Sequence, residues 1–282
     1  MFRFASLGSG SAGNCLIVES ILNANSTANS TAFSTAFSTS GNSKTANKTR
    51  LLVDNGFSLK ELTQRLARLE ISPSEIDGVL VTHEHSDHIK GVATLCQTQQ
   101  IPAWATYGTS LFFREKIPTF TNFNLITGDA PFTIGDLTIL PFSVPHDARE
   151  PVQFVFSKDG KKLGVLTDVG TITPRIESVL ANLDALFLEC NHDLDLLYNS
   201  RYPASLKKRI ASNLGHLSNI QAAELLVKIN AKQLQHLVCA HLSAENNAPE
   251  LALKAILATF NGDKKSVVLA DQENGFTWRE IV

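Results

Sequence analysis

A chain of 282 residues with 43% hydrophobic and 18% charged side chains is long enough to bury a sizeable core, as one large domain or two small ones. Its formal charge of −2 supplies no global basic field, so a polyanion has to be held by local cations or by metal. No apolar run is long enough to span a bilayer, and one Arg followed by a Gly/Ser stretch does not make a secretory leader.

Phe2–Leu7 reads as a first strand, followed by Gly8-Ser9-Gly10-Ser11-Ala12-Gly13-Asn14. The spacing matches G-x-G-x-x-G, but a dinucleotide site needs a helix opening at the loop and an acid about twenty residues on. Here Cys15–Glu19 continues as a second strand and no acid stands in place, so the loop is read as a glycine-rich hairpin. Residues from about 22 to 49 are rich in Ser, Thr, Ala and Asn, with an imperfect Phe-Ser-Thr repeat. Such a composition cannot bury enough surface to repay its ordering entropy, and the segment is expected to be a disordered or loosely packed insertion within one domain covering 1–282.

Arg50–Asp54 is a strand ending in an acid. Ser58–Leu69 places leucines at helical spacing, with Ser58 as N-cap and Glu61 at the capping-box position. Ser74–Ile76 leads into Val79-Leu80-Val81-Thr82-His83-Glu84-His85-Ser86-Asp87-His88, a short β-branched run that ends in three histidines and two acids. Histidines two apart on extended backbone point the same way, so His83 and His85 can close on one metal. Asp87 and His88 project differently and suit a second. Such a cluster folds poorly without a cation to satisfy it.

A helix is expected from Asp87 to Gln99, then a strand at Pro102–Ala105 and a helix ending by Pro118. Phe132–Ile134, Leu137–Phe142 and Val152–Phe156 read as strands, with Gly135-Asp136 a hairpin turn and His146 between the last two. Lys162–Leu166 is a strand ending near Asp168, Ile176–Leu183 a helix, and Ala185–Leu188 a strand ending in Glu189. Ile220–Ile229 is helical, and Leu237–Ala240 is a strand followed at once by His241. Val267–Ala270 and Phe276–Arg279 are expected to pair as a closing hairpin. The four cysteines (Cys15, Cys96, Cys190, Cys239) are scattered without a C-x-x-C pair, as in a reduced, cytoplasmic protein.

Histidines or acids thus recur just after short apolar strands, at His83/His85, His146, Asp168, Glu189 and His241. One such residue is ordinarily a turn residue; the recurrence points to a site assembled from loops at one end of the strands. Arg201, Lys207, Lys208 and Arg209 form the densest basic patch. Arg201 and Lys208 are candidate phosphate contacts, and Tyr202 among them can stack on a base. His192 is placed either against substrate or as a loop brace, and His236 is read as structural.

His83-x-His85-x-Asp87-His88, followed in order by His146, Asp168 and His241, resembles the metallo-β-lactamase superfamily over essentially the whole chain apart from the insertion. The resemblance implies an α/β fold, a four-layer αβ/βα sandwich with its site at one sheet edge. It implies one cation held by His83, His85 and His146, a second held by Asp87, His88 and His241, and Asp168 bridging them. Asp54 would stand behind the ligands rather than among them. Leu7–Asn14, Thr82–Gly91, Ser143–Asp147, Glu189–Asp193, Gly215–Asn219 and Ala240–Asn247 are together similar to the YycJ/WalJ-like branch, which is associated with 5′→3′ DNA exonuclease activity. On that basis Asn246 and Asn247 join the candidate substrate contacts. The closing motifs are also similar to tRNase Z, which implies a proton-shuttling Glu189–His216 dyad. The tRNase Z pattern His-Glu-Ala-Thr becomes Leu188-Glu189-Cys190-Asn191 here and keeps only the Glu.

The expected chemistry is phosphodiester hydrolysis by two divalent cations, roughly 3.5–4 Å apart in sites of this kind, with Asp87, Glu189 and His216 as the catalytic side chains. Zinc suits the histidine-rich first site, and manganese or iron would also enter the second. The expected substrate is DNA in a repair setting, with RNA as the alternative. A thioester or lactam hydrolase would call for a separate C-terminal module that the remaining residues are too few to form, and a non-enzymatic metal-binding protein sits poorly with the full ligand set.

Overall fold

The structure, a computed structural model, describes residues 1–22 and 47–282. The chain begins with strands β1 (Phe2–Gly8), β2 (Cys15–Ile21) and β3 (Lys48–Val53), then passes through helix α1 (Leu59–Ala67) to β4 (Gly78–Leu80). Helices α2 (Ser86–Ile89) and α3 (Val92–Gln99) precede β5 (Ala103–Thr106), α4 (Tyr107–Lys116) and β6 (Phe123–Ile126). Strands β7 (Phe132–Ile134), β8 (Leu137–Ser143), β9 (Val152–Lys158) and β10 (Lys161–Leu166) follow without a helix between them. Then come α5 (Pro174–Val179), β11 (Ala185–Glu189), α6 (Leu194–Asn199), α7 (Ala204–Ile210), α8 (Asn219–Lys228), β12 (His236–Ala240), α9 (Pro249–Thr259), β13 (Val267–Leu269) and β14 (Phe276–Glu280).

The strands form two seven-stranded sheets, in the orders β14-β1-β2-β3-β4-β5-β6 and β13-β12-β11-β10-β9-β8-β7. The inner strands read as nearly unbroken apolar runs because both faces of each sheet are covered there, whereas β8 alternates buried with exposed residues at Thr138 and Ser143. On β1, Phe2 and Phe4 enter the core between the sheets, with Leu51, Phe154, Phe156 and Val238. Ala5 and Leu7 face the other way, toward Leu62, Leu66 and Leu95 of α1 and α3. On the second sheet Leu186, Leu188 and Cys239 pack outward on Leu225 of α8 and Ile256 of α9. Helices, sheet, sheet and helices make the four layers of the expected sandwich.

Four details correct the sequence-based expectations. The helix expected from Asp87 to Gln99 is split into α2 and α3. A continuous helix needs the Asp87 and His88 carbonyls for the amides four residues on; instead they accept from Asn14 N (2.8 Å) and Asn55 N (2.7 Å), and Gly91 N donates to Asn55 O (2.9 Å). The helix expected over Ile176–Leu183 spans Pro174–Val179, capped by Thr173. At Ser58 the N-cap bond from Glu61 N forms, but the Glu61 carboxylate turns to Arg65 at 2.9 Å, not back to the cap. The closing strands do not pair: β13 runs parallel to β12 in one sheet, whereas β14 lies antiparallel to β1 in the other.

Residues 23–46, nearly all of the expected insertion, lie outside the described residues. Lys48 and Thr49, assigned to it from composition, belong to β3. Its attachment points meet where Leu22 N donates to Asn47 O (2.9 Å). β2 starts just after Asn14 and β3 ends just before Asp54, so these points lie at the opposite ends of those strands.

Candidate metal centre

Several strands of both sheets end at one rim. There the chain turns sharply: Asp54 (φ 60°), Asp168 (φ 52°) and His241 (φ 54°), each just past β3, β10 or β12, adopt left-handed backbone. That conformation is uncommon without glycine and marks places where structure is held against a local cost. Six of the chain's eight histidines gather at this rim. Ligand atoms of His83, His85 and His146 lie within 4.8 Å of one another, as do those of Asp87, His88 and His241 and those of His83, His88 and Asp168.

The hydrogen bonds fix which imidazole nitrogens face inward. His88 Nδ1 donates to Asp54 Oδ2 at 2.8 Å, and His146 Nδ1 donates to the Gly215 carbonyl at 3.0 Å. His241 Nδ1 donates to Glu189 Oε1 at 3.0 Å. The Thr82 hydroxyl gives its hydrogen to Asp54 Oδ2 and so accepts from His83 Nδ1 at 3.0 Å. In each case Nδ1 is tied back and Nε2 is the nitrogen turned to the site, the one a cation takes in the neutral imidazole. His85 is turned the other way, its Nδ1 3.3 Å from His146 Nε2 and its Nε2 3.9 Å from Asp147 Oδ1.

Asp168 stands between the groups, with Oδ2 at 3.2 Å from His88 Nε2 and Oδ1 at 3.5 Å from His241 Nδ1 and 4.0 Å from His146 Nε2. Asp168 Oδ2, His83 Nε2 and His241 Nε2 are buried without a hydrogen-bond partner. Orphaned polar atoms of this kind are expensive, and a divalent cation satisfies imidazole nitrogens and a carboxylate oxygen together. The donor set fits two divalent cations.

The field matches that chemistry. Burial opposes charge on Asp168, yet His241 and His88 hold its carboxyl well below the ordinary range. Asp87 is likewise opposed by burial and held low by His88 and His241. Burial and the neighbouring charge of His88 push His83 down. His241 is opposed by burial but raised to about 10, with Asp168 the leading cause; a cation taken up there displaces a proton.

Glu189 closes the back of the site. Its Oε1 accepts from His216 Nδ1 (2.8 Å), His241 Nδ1 (3.0 Å) and Asp168 N (3.1 Å). Its Oε2 accepts from Leu217 N (2.9 Å) and Val169 N (3.2 Å). Burial opposes its charge, but His216 and His241 take its pKa down to about 2. Glu189 and His216 therefore sit together as expected for a dyad, with His241 on the same carboxylate oxygen.

The remaining candidates are placed less directly. Arg201 and Lys208 are exposed and Tyr202 half-buried beside α7, a helix that buries no side chain. Arg209, not singled out beyond the patch, reaches the rim through Asp147 Oδ2 at 2.5 Å. Asn246 is fully buried, and the Asn247 amide donates to Cys190 O (2.7 Å) and Asn191 O (3.1 Å), so both act as braces between loops. His192 is buried; its carbonyl accepts from Asn219 N, and both its ring nitrogens are buried without a hydrogen-bond partner. His236 Nε2 donates to Glu280 O at 2.8 Å, a structural bond. Two residues of the rim went unassigned in the sequence, Asn14 and Asp147; Asp147 had a signal in its position next to His146, and Asn14 had only its place at the end of the glycine run.

The family described as Beta-lactamase superfamily domain matches residues 49–238. The chain is 35% identical over 257 residues to "Exodeoxyribonuclease YycJ" of Bacillus anthracis, covering 90% of this chain and 87% of that one. It is 34% identical over 263 residues to "Exodeoxyribonuclease WalJ" of Streptococcus pneumoniae, covering 89% and 85%. Among solved structures, the metallo-β-lactamase fold protein YhfI from Bacillus subtilis superposes with a TM-score of 0.68 at 17% identity, covering 99% of this chain and 98% of the other.

Proposed function

The chain belongs to the beta-lactamase superfamily and is a metal-dependent hydrolase, and we propose that it is a dinuclear 5′→3′ DNA exonuclease. The observation that carries this reading is the convergence of inward-facing Nε2 atoms on the orphaned Asp168 carboxylate oxygen. The substrate class is supported by the relatives' names.

His83, His85 and His146 would hold one cation, Asp87, His88 and His241 the other, and Asp168 would bridge them. Bound there, such a pair supplies Lewis acidity to a phosphodiester and brings the pKa of water toward neutrality. The protein's own work is positional. Asp54, Thr82, Gly215 and Glu189 fix the imidazole tautomers. His216, whose Nδ1 is committed to Glu189, keeps Nε2 to pass a proton to the leaving oxygen. Asp87, whose carboxylate stays ionised beside His88, orients the attacking side. Arg201, Lys208 and Tyr202 on the exposed α7 flank offer phosphate and base contacts. Zinc or manganese suits the nitrogen- and carboxylate-rich donors, and iron is compatible. Four buried free cysteines fit a reducing, cytoplasmic setting, and no helix among the described residues is long and apolar enough to cross a membrane. End resection of this kind serves DNA repair.

The test is purified protein with 5′- and 3′-labelled single- and double-stranded DNA in Mn²⁺ or Zn²⁺. Release of the 5′ label with the first nucleotide and stepwise shortening of the 3′-labelled strand are expected. Absence of phosphodiester cleavage with either cation overturns the proposal, and preference for RNA ends moves it to RNA processing.

A further inference from the structure

The glycine-rich loop between β1 and β2 supplies no ligand, yet it ends against the second cation subsite. Its backbone is not an anion cradle, which would need free amides pointing outward. Ser9 N donates to Asp271 O, Gly13 N to Gly10 O and Asn14 N to Asp87 O; Ala12 N donates to Gln272 Oε1 and Gly10 N to Asn14 Oδ1. The loop spends these donors holding one side chain in place.

That side chain is Asn14. Its Oδ1 accepts from Gly10 N at 2.9 Å and from Ser9 Oγ at 3.4 Å, which sets the orientation of the amide. Its Nδ2 then lies 3.0 Å from Gly10 O, 3.2 Å from Asp87 Oδ2 and 3.2 Å from His88 Nε2. An amide nitrogen has two hydrogens, one for Gly10 O and one for Asp87 Oδ2, which leaves His88 Nε2 free for a cation. Ser9 adds a second tie, because its Oγ accepts from His241 N at 2.9 Å, the residue held in the left-handed turn.

We propose that Asn14, backed by Ser9, is the positioning residue of the second cation subsite. The Asn14 amide holds Asp87 Oδ2, the oxygen that faces His88 Nε2 at 3.4 Å and His241 Nε2 at 3.7 Å, and so fixes the carboxylate against the other two ligands; Ser9 holds His241 in its turn. This rests on the assignment of Asp87, His88 and His241 as ligands. The loop touches none of His83, His85 or His146 through these bonds, so its effect is confined to one subsite.

The experiment is calorimetric titration of chelator-stripped protein with Zn²⁺, with elemental analysis after dialysis, on wild type, Asn14→Ala and Ser9→Ala. Wild type binds two cations. Asn14→Ala keeps one at wild-type affinity and loses about 10–100-fold for the other, the usual effect of removing a group that orients a ligand; Ser9→Ala shifts the same step by less. In a His241→Ala background, Asn14→Ala changes the remaining affinity no further. Two cations bound at wild-type affinities by Asn14→Ala, or equal weakening of both subsites, overturns the proposal, as does a wild type that binds fewer than two. A wild type that binds two cations but cleaves no DNA overturns the nuclease reading and leaves this one standing.

Discussion

Glu189 shows how one residue can serve both halves of the chemistry. Five donors share its buried carboxylate, and two of them are the ring nitrogens of His216 and His241 on Oε1. His216→Ala removes one of these, while His241 and the amides of Asp168, Val169 and Leu217 still hold Glu189 in place. Turnover on labelled DNA is therefore expected to fall by roughly 10²–10⁴-fold, the usual worth of a positioned general acid, with cation content by elemental analysis unchanged. Loss of a cation would make His216 a ligand, a role its place beside Asp168, Glu189 and His241 leaves physically open. At this scale the His83–His88 cluster was legible because its members are contiguous and their spacing implies their direction. Asn14 was not. Its partner Asp87 is 73 residues away, and an asparagine after glycines reads as a turn until the fold brings the two together.

Most strands were legible one by one from their apolar runs, but β6, with Asn124 inside it and only Ile126 buried, was not. The strands' partners were not legible either. Nothing in Val267–Leu269 or Phe276–Glu280 shows that one joins each sheet, since that depends on which edges β12 and β1 leave open. The break between α2 and α3 was hidden for the same reason, being imposed by Asn14 and Asn55 from outside the helix. Gly91 is where it can be tested. Its backbone (φ −106°, ψ −1°) does not demand glycine by handedness, but a Cβ there would stand 1.9 Å from Phe57 O and 2.5 Å from Asn55 Nδ2. Backbone cannot yield as a flexible side chain would. Gly91→Ala is expected to lower unfolding stability by about 1–3 kcal/mol, the range for overpacked sites, read as a shift of the urea midpoint. An unchanged midpoint would show that the Asn55–Phe57 loop is looser than its contacts imply.

In the whole molecule the two sheets are tied at both ends of their seam. At the end bearing the insertion's attachment points, Lys158 of β9 reaches across to β1 and β2. Its Nζ donates to Ser20 Oγ (2.7 Å), Ile21 O (2.9 Å) and Met1 O (3.2 Å) and lies 2.6 Å from Asp136 Oδ2. At the other end stand the proposed ligands, His83 to His88 following β4 of one sheet and His146, Asp168 and His241 following strands of the other. Cations held there would staple one sheet to the other, and a ligand that binds only the folded state adds its mass-action term to stability. At 1,000 times the dissociation constant that term is about 4 kcal/mol, worth on the order of 10 °C for a chain of this size. Chelator-treated protein is expected to stay folded, because the Lys158 tie and the apolar core between the sheets remain, and to melt in one transition. Adding Zn²⁺ or Mn²⁺ should raise that midpoint by roughly the same 10 °C, as followed by scanning calorimetry. Bound cations that left the midpoint where it was would mean that the unfolded chain holds them as tightly as the folded one, and a centre assembled by the fold across both sheets would have to be abandoned.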